Sequence, residues 1–184
     1  MSNKENEALY FLALVPPEPI FSEVERLKYQ FFEKYHSKAA LKSPPHITLH
    51  MPFKLGEHKE QKLISSLSQV HIGAGFNITQ KGFGAFAPRV IYINVEPVSE
   101  LIELQKLVVE NLRRNLKIVK DDYKKRGFHP HMTIAFRDLR TSMFKSAWLE
   151  FNNKTILYNW EVKSFHLLKH DGQKWGLFNE FPIT

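Results

Sequence analysis

The sequence predicts an α+β fold in which antiparallel sheets line a central cleft between two lobes, with the helices outside. Short apolar segments of strand length alternate with longer segments whose apolar residues recur at helical spacing. The same order of elements occurs twice, which indicates a duplicated fold with a pseudo-two-fold axis. The 184 residues contain no low-complexity linker, so we expect residues 1–184 to form a single domain of two intertwined lobes.

The first copy begins with an apolar segment at residues 8–15, which is typical of a strand and ends at two prolines. A helix is predicted from Pro19 onward, because four apolar residues recur at helical spacing. Charged residues of this segment, including Lys28, are predicted on its other faces. A basic loop at residues 36–42 leads to the segment 44–51, Pro-Pro-His-Ile-Thr-Leu-His-Met. The four apolar residues are Ile20, Val24, Leu27 and Phe31.

The second copy follows the same order. Residues 89–95 are predicted as a strand, a proline follows at position 97, and residues 101–112 have the pattern of an amphipathic helix. A basic loop at residues 117–126 leads to the segment 127–135, Gly-Phe-His-Pro-His-Met-Thr-Ile-Ala. Strand, proline, helix, basic loop and Pro-His-x-Thr therefore occur twice in the same order.

The remaining elements lie between and after the two copies. A helix is predicted at residues 57–68, a strand at residues 76–86 and a helix at residues 140–151. Two strands are predicted at the end of the chain, over residues 156–168 and 174–181. The turn between them contains an Asp-Gly pair, which favours a β-hairpin.

The composition excludes several classes of chemistry. Because there is no cysteine, a disulfide framework, a thiolate zinc site and a cysteine nucleophile are excluded. Lys and Arg exceed Asp and Glu by 26 − 19 = 7 residues, and this excess favours an anionic partner. The apolar run near the start is too short to span a bilayer and follows no basic segment, so no membrane span or secretory signal is predicted. We expect a cytoplasmic monomer that needs no cofactor.

Two copies of Pro-His-x-Thr are the strongest signal in the chain. They pair His46 with Thr48 and His131 with Thr133. With 9 His and 6 Thr among 184 residues, chance predicts roughly 0.3 copies of His-x-Thr, and about 0.02 copies when a proline must precede it. Two copies at equivalent points of a repeat therefore indicate a function.

The spacing of the motif also predicts where its side chains lie. Positions i and i+2 of a strand share a face, so His46, Thr48 and His50 are predicted on one face of their strand. By the same rule His131 and Thr133 share a face, with the apolar residues of both strands in the core. If the copies are related by a two-fold axis, the two His-Thr pairs face each other across a cleft.

Such a cleft suits phosphodiester chemistry without a metal ion. One neutral imidazole can accept a proton from the attacking water or hydroxyl group, while an imidazolium protonates the leaving oxygen. The ordinary pKa of histidine is about 6.5, so both forms exist near neutral pH. The Thr hydroxyls can donate hydrogen bonds to the phosphate oxygens as negative charge develops on them.

The segments PPHITL at 44–49, FAPRVIYINVEP at 86–97 and FHPHMTIAF at 128–136, with the ending at 165–181, resemble the 2H phosphoesterase superfamily. Its signature is two His-x-Thr/Ser motifs, and it includes the bacterial 2'-5' RNA ligase and 2',3'-cyclic nucleotide phosphodiesterases. The chain is most similar to the compact bacterial, ligase-like branch. The resemblance implies four catalytic residues, with the first histidine as general acid and the second as general base. They are His46, Thr48, His131 and Thr133.

We therefore expect a phosphoesterase that hydrolyses, or reversibly ligates, 2'-linked or 2',3'-cyclic phosphodiesters of RNA ends or nucleotides. The alternatives are an RNA-binding module with little turnover and a cyclic phosphodiesterase for a small nucleotide-sugar. A zinc site of four histidines (46, 50, 129 and 131) is disfavoured, because no carboxylate lies beside them at ligand spacing. Six residues near the motifs are candidate substrate contacts: His50, Phe53, Phe86, Arg89, His129 and Arg137.

Overall fold

The structure is a computed structural model that describes residues 6–119 and 127–183. Its eight strands are β1 (Glu7–Leu14), β2 (Ile47–Gly56), β3 (Phe76–Phe86), β4 (Val90–Val95), β5 (His131–Ala135), β6 (Leu157–Val162), β7 (Ser164–His170) and β8 (Trp175–Pro182). The helices in these residues are α1 (Ile20–Tyr35), α2 (Glu60–Leu67), α3 (Ser99–Leu116) and α4 (Thr141–Phe151), with 3-10 turns at Ala39–Lys42 and Glu57–Lys59.

All eight strands belong to one antiparallel sheet with the order β6-β3-β4-β5-β2-β1-β7-β8. The predicted α+β class with antiparallel strands is therefore confirmed. The sheets expected for the two lobes are continuous, and they join where β5 meets β2. No helix in the described part of the chain is long and apolar enough to cross a bilayer.

The predicted repeat appears in the order of the strands. The units β1-α1-β2 and β4-α3-β5 lie on either side of the boundary between β5 and β2, with the two motif strands innermost. Each helix packs against the motif strand of the other copy, α1 against β5 and α3 against β2. The two copies are thus interlocked and not merely adjacent.

The main hydrophobic core lies between the helices and one face of the sheet, and every strand contributes to it. The opposite face carries a smaller buried cluster, formed by Phe11, Ala13 and Leu168 with Trp175 packed against them. Because alternate side chains of a strand point to opposite faces, the residues that do not enter the main core are available to line a cleft.

The buried rows of α1 and α3 have the same spacing. In α1 the row contains Val24, Lys28, Phe31 and Tyr35. In α3 the row of equal spacing is Leu101, Gln105, Val108 and Leu112. The prediction that Lys28 lies on a polar face of the helix is therefore wrong, since its side chain is only 2% exposed. A sequence pattern assigns charged residues to the outside because buried charge is costly, and this lysine is an exception.

A second prediction is also wrong. Residues 156–168 do not form one strand, because the chain breaks at Lys163 into β6 and β7. Strand β6 pairs with β3 at one edge of the sheet, whereas β7 pairs with β1 in the other half. No glycine or proline marks this break, and its one local signal is that the apolar alternation changes phase between Val162 and Phe165.

The turn after β7 agrees with its sequence signal. Asp171 accepts hydrogen bonds from the backbone N–H groups of Gln173 and Lys174, both at 2.8 Å. Gly172 has a φ of +99°, a conformation that favours glycine. The predicted hairpin between β7 and β8 is confirmed.

Candidate active site

The two motif strands are neighbours in the sheet and pair in one register. Ile47 of β2 lies opposite Met132 of β5 in an antiparallel pair. Continuing this register by one residue in each direction places His46 opposite Thr133 and Thr48 opposite His131. Each motif histidine is therefore adjacent to the threonine of the other copy. The charge of a protonated His131 also lowers the pKa of His46, so the two rings are within electrostatic reach.

Both motif histidines have the same local geometry. The Nδ1 atom of His46 lies 2.8 Å from the carbonyl oxygen of Pro44, and Nδ1 of His131 lies 2.7 Å from that of His129. A carbonyl only accepts hydrogen bonds, so in each ring Nδ1 carries a proton and donates it. The neutral form of each ring then has its lone pair on Nε2, where it can accept a proton.

Aromatic residues pack beside His46. Its ring centroid lies 4.8 Å from that of Phe11, which in turn makes an edge-to-face contact with Trp175 at 4.7 Å. Burial lowers the pKa of His46 to about 4, and the positive charge of Lys28 contributes to this shift. His46 is therefore neutral at pH 7, in the form that accepts a proton.

His131 also lies against aromatic rings, but these belong to Tyr92 and Phe86. Its ring lies 4.9 Å from Tyr92 and 5.1 Å from Phe86. Burial lowers the pKa of His131, and the nearby His129 acts in the same direction. The side chain of Phe86 is 43% exposed, so it presents an apolar surface to solvent beside the motif.

Tyr92 packs against His131, and Gly84 on the neighbouring strand β3 leaves room for the ring of Tyr92. Tyr92 lies opposite both Thr133 of β5 and Gly84 of β3. A Cβ atom at Gly84 would lie 2.4 Å from a ring carbon of Tyr92 and 2.6 Å from the side-chain oxygen of Asn94. The absence of a side chain at Gly84 therefore allows both residues to pack on this face of the sheet.

A carboxylate connects the two copies near the motifs. Asp138, which follows β5, accepts hydrogen bonds from the hydroxyl group of Ser37 and from the backbone N–H groups of Lys38 and Ala39, at 2.8, 2.9 and 3.0 Å. These three donors lie in the basic loop that leads to His46. Asp138, which follows the motif strand β5, therefore fixes the backbone of the loop that leads into the motif strand β2.

The structure separates the candidate substrate contacts into two groups. Phe86 and His129 lie beside His131, with ring centroids 5.1 and 6.1 Å away. Arg89 is exposed in the turn between β3 and β4. Arg137 is exposed after β5, and its guanidinium lies 5.1 Å from the ring centroid of Phe136.

His50 and Phe53 point elsewhere. A register shift between β1 and β2 places Thr48 opposite Ala13 but His50 opposite the core residue Leu12. His50 is 1% exposed and Phe53 is 5% exposed. The prediction that His50 shares a face with His46 and Thr48 is wrong, because a β-bulge interrupts the alternation of side chains.

The four-histidine zinc site has no support in the geometry. It requires His50 to join the other three histidines, and His50 faces the core instead. In residues 6–119 and 127–183, no group of three or more histidine, aspartate or glutamate side chains is arranged to hold a metal ion.

Sequence reasoning did not identify Phe11, Tyr92 or Lys28 as neighbours of the motif. The first two lie on strands adjacent to the motif strands, and their contact with the histidines depends on strand register. Lys28 sits on a helix, and its burial depends on how α1 packs. The spacing of α1 itself, with Lys28 in line with Val24 and Phe31, was the only available signal.

Comparison with known proteins gives one consistent family. Residues 16–174 match the 2'-5' RNA ligase superfamily. A Geobacillus sp. (strain WCH70) protein, provisionally named a phosphoesterase, is 27% identical over 180 residues, which covers 95% of both chains. A Bacillus cereus (strain G9842) protein with the same provisional name is 31% identical over 147 residues, covering 76% of this chain and 79% of the relative.

Solved structures share the fold. Escherichia coli LigT complexed with 3'-AMP has a TM-score of 0.70 at 20% identity, covering 97% of this chain and 99% of that one. The protein TT0787 of Thermus thermophilus has a TM-score of 0.64 at 19% identity, covering 95% and 97%. With its paired motifs, its sheet and a family match over most of its length, the chain belongs to the 2'-5' RNA ligase superfamily.

Proposed function

We propose that this protein is a metal-independent phosphoesterase that hydrolyses, or reversibly forms, 2'-linked or 2',3'-cyclic phosphodiesters of RNA ends or nucleotides. Residues 1–184 act in this proposal as one domain, since the sheet runs through both halves. The catalytic residues are His46, Thr48, His131 and Thr133. The family match and the phosphoesterase names of the relatives support the class of reaction.

The observation that carries the proposal is the reciprocal placement of the two motifs. The register puts the histidine of each copy opposite the threonine of the other. Both imidazoles are tied through Nδ1 to a backbone carbonyl, so Nε2 is the atom left for proton transfer. A single phosphate between the strands would therefore meet two proton-transfer groups and two hydroxyl donors.

The proposed reaction uses these four groups. One neutral Nε2 takes a proton from water as the water oxygen bonds to phosphorus. The bond from phosphorus to the 2' or 3' ribose oxygen breaks, and the other imidazolium gives its proton to that oxygen. The two threonine hydroxyls donate hydrogen bonds to the non-bridging oxygens, whose negative charge grows in the transition state.

Aromatic surfaces on both sides of the motifs support a nucleoside-containing substrate. Phe86 is exposed beside His131, and the half-buried Trp175 lies beyond Phe11 on the side of His46. Planar aromatic rings of this kind stack on nucleobases. The net charge of +7 favours an anionic substrate in the same direction.

The test is a panel of 2',3'-cyclic nucleotides, 2'-5' dinucleotides and cyclic-ended RNA, with the product identified in each case. We expect conversion of at least one of them to a product with a free 2' or 3' phosphate or a free 2' hydroxyl group, unchanged by prior treatment with a chelator. Binding of RNA without any conversion would favour the RNA-binding alternative. Loss of turnover after chelation, restored by zinc or manganese, would contradict metal independence.

A nucleotide-sugar cyclic phosphate belongs in the same panel. Faster turnover of that compound than of every RNA-derived substrate would favour the small-molecule alternative. His46→Ala, purified in the same way, serves as the negative control, because a contaminating activity would be unchanged in it, whereas turnover by this protein should fall about 10²–10⁴-fold.

A further inference from the structure

A row of side chains leads from His131 towards the edge of the sheet. His131 of β5 lies opposite Asn94 of β4. Met132 and Val95, the residues that follow them, belong to the main core. Because alternate side chains of a strand point to opposite faces, His131 and Asn94 lie on the other face of the sheet, which we call the motif face. The side-chain amide of Asn94 forms no hydrogen bond within the described part of the chain, so its two donors are open to a ligand.

The next strand of the row, β3, has a β-bulge at this point. The register of β3 with β4 shifts between Gln80 and Phe83. Lys81 and Gly82 therefore both lie opposite Asn94. Gly82 has a φ of +65°, a conformation that favours glycine. Bulges redirect side chains and are frequent next to active sites, so the side chain of Lys81 is the one to examine.

Lys81 lies on the motif face. Gln80 before it is fully buried, and β3 pairs regularly with β6 up to Lys81, so the alternation of side chains puts Lys81 on the face opposite the core. Its side chain is exposed. Two strand spacings, roughly 10 Å, separate β3 from β5. The flexible four-carbon stem of lysine covers part of this distance, and one nucleotide of an extended strand can cover the rest.

A cavity of about 390 Å³ lies where this bulge meets the start of β6. It contains two ammonium groups. That of Lys154 is paired with Glu150 at 2.7 Å and lies 4.2 Å from the ring centroid of Phe151. Lys81, in contrast, forms no ion pair with any acidic side chain of residues 6–119 and 127–183. Its charge is therefore open to an anionic ligand. The lining residues are Lys81, Gly82, Lys154, Thr155, Ile156 and Leu157.

The other half of the sheet carries the opposite charge towards its edge. From Thr48, the corresponding row runs through Ala13 of β1 and His166 of β7 to Glu180 of β8. The side chain of Glu180 is 64% exposed. A carboxylate there repels a phosphate, whereas Lys81 attracts one. An anionic strand that leaves the motifs is thus directed across β4 to β3.

We propose that Lys81 binds the phosphate on the 5' oxygen of the nucleoside whose 2',3'-cyclic phosphate reacts, so that the substrate is the end of an RNA strand. This inference rests on the proposed function and names its substrate class. The strand crosses β4 beside Asn94, whose amide donates to it, and its second phosphate reaches Lys81 at the cavity. A 5'-phosphorylated cyclic mononucleotide carries the same second phosphate, so the experiments compare it with an RNA strand.

Calorimetry on the full chain tests the second phosphate without any turnover. The probes are adenosine 3'-phosphate and adenosine 3',5'-bisphosphate. We expect the bisphosphate to bind about tenfold more tightly, as one charge-assisted hydrogen bond permits. Lys81→Met should abolish this advantage, whereas Lys81→Arg, which keeps the charge, should retain it. Lys62→Met, at an exposed position of α2 in the helix layer, is the control for the loss of one net charge.

Three results of the calorimetry would overturn the proposal. The first is equal affinity of the unmodified protein for the two compounds, and the second is binding of neither. The third is an equal loss of the advantage in Lys81→Met and Lys62→Met, which would mean that the net charge and not the position of Lys81 attracts the bisphosphate.

Turnover gives a second, separate readout. The substrates are adenosine 2',3'-cyclic phosphate, its 5'-phosphorylated form, and a dinucleotide that ends in a 2',3'-cyclic phosphate. Lys81→Met should raise KM about tenfold for the last two, which carry the second phosphate, and much less for the first. A gain for the 5'-phosphorylated mononucleotide without one for the dinucleotide would overturn the assignment to RNA.

The two readouts separate the proposal from the proposed function. If none of the three substrates is converted, the proposed function fails, while the calorimetry still decides whether Lys81 binds a second phosphate. If all three are converted and Lys81→Met leaves the ratios of their KM values unchanged, Lys81 has no part in binding and the proposed function stands.

Discussion

At the scale of single residues, the two motif histidines are chemically equivalent in local geometry but perform opposite tasks in the proposed reaction. Each donates from Nδ1 to the carbonyl two residues before it, and each lies against aromatic rings. This geometry follows from the Pro-His and His-Pro-His sequences themselves. The motif residues could therefore be predicted from the sequence, because the i, i+2 rule needs only an uninterrupted strand.

Replacement of either histidine should abolish most of the activity. His46→Ala and His131→Ala should each lower kcat about 10²–10⁴-fold, since each removes one proton transfer. The double variant should lose less than the product of the two effects, because acid and base serve one transition state. Steady-state kinetics on the best substrate of the panel measures this. His71→Ala, at an exposed site, is the control, and full activity of either motif variant would refute the pairing.

The threonines should act through their hydroxyl groups and not through their shape. Thr48→Val and Thr133→Val keep the β-branched side chain but remove the donor, so kcat should fall about 10²-fold or more. Thr48→Ser and Thr133→Ser keep the donor and should retain most of the rate. Equal rates for the Val and Ser variants would mean that the hydroxyl groups do not contact the phosphate.

The orientation of His50 could not be predicted from the spacing of residues along its own strand. It lies four residues after His46 and would share its face in a regular strand. The bulge between β1 and β2 moves it to the core side. A bulge depends on how two strands fit together, and neither strand alone contains that information.

At the scale of elements, close packing between neighbouring strands holds the site. Gly84→Ala would force a methyl group against Tyr92 and Asn94, at a cost of about 1–3 kcal/mol in stability. Because Tyr92 lies against His131, we also expect kcat to fall. Gly176→Ala in β8 is the matched control, since a Cβ atom there meets nothing within 4 Å. Urea denaturation and kinetics on both variants test this, and an equal effect of the two would contradict the packing argument.

The burial of Lys28 in α1 predicts how stability depends on pH. Its pKa is about 7 in the folded protein, far below its ordinary value of about 10.4. Between these values the unfolded chain binds a proton that the folded protein does not, so stability rises with pH over this interval. Relative to Lys28→Gln, the unmodified protein should gain on the order of a few kcal/mol between pH 7 and pH 10.

Urea denaturation of both proteins at several pH values measures that difference. Other titrating groups are common to the two proteins and cancel when the free energies of unfolding are subtracted. A difference that does not change with pH would mean that Lys28 titrates normally in the fold.

Element prediction was accurate where an element is locally self-sufficient. The span 76–86 agrees with β3 at both ends, and the helix at 140–151 agrees with α4 within one residue. The predicted helix at 57–68 begins instead as a 3-10 turn. The break at Lys163 carries no glycine or proline, and the only trace of it in the sequence is a change of phase in the apolar alternation, from Trp160 and Val162 to Phe165 and Leu167. The two strands have partners in different halves of the sheet.

At the scale of the whole molecule, the charge of +7 predicts a preference for longer anionic substrates. A cyclic-ended RNA oligomer should bind better than a cyclic mononucleotide at low salt, with log affinity falling by about 0.7 per log unit of salt for each neutralised phosphate. Lys38→Glu with Lys42→Glu, exposed in the loop before His46, should raise KM for the oligomer and leave turnover of the mononucleotide nearly unchanged.

The matched control reverses two exposed charges on the helices, Lys106→Glu with Lys145→Glu, and should have a smaller effect. The second basic loop extends to residues 124–126, where charge reversal is predicted to act in the same way; these positions lie outside the described residues. Equal efficiency on both substrates at every salt concentration would indicate a small nucleotide ester as the substrate.

The register of β2 and β5 has a consequence for how a substrate enters. A phosphate bound between two motifs related by a pseudo-two-fold axis would contact one histidine and one threonine on either side. The motifs alone would accept a phosphodiester in two opposite orientations, and each orientation would make a different ribose oxygen the leaving group. The choice between them must come from what differs around the axis: Phe11 and Trp175 on one side, Phe86 and Tyr92 on the other, and one buried lysine. In the proposed reaction, the residues in which the two halves have diverged would therefore determine the regiochemistry of the product.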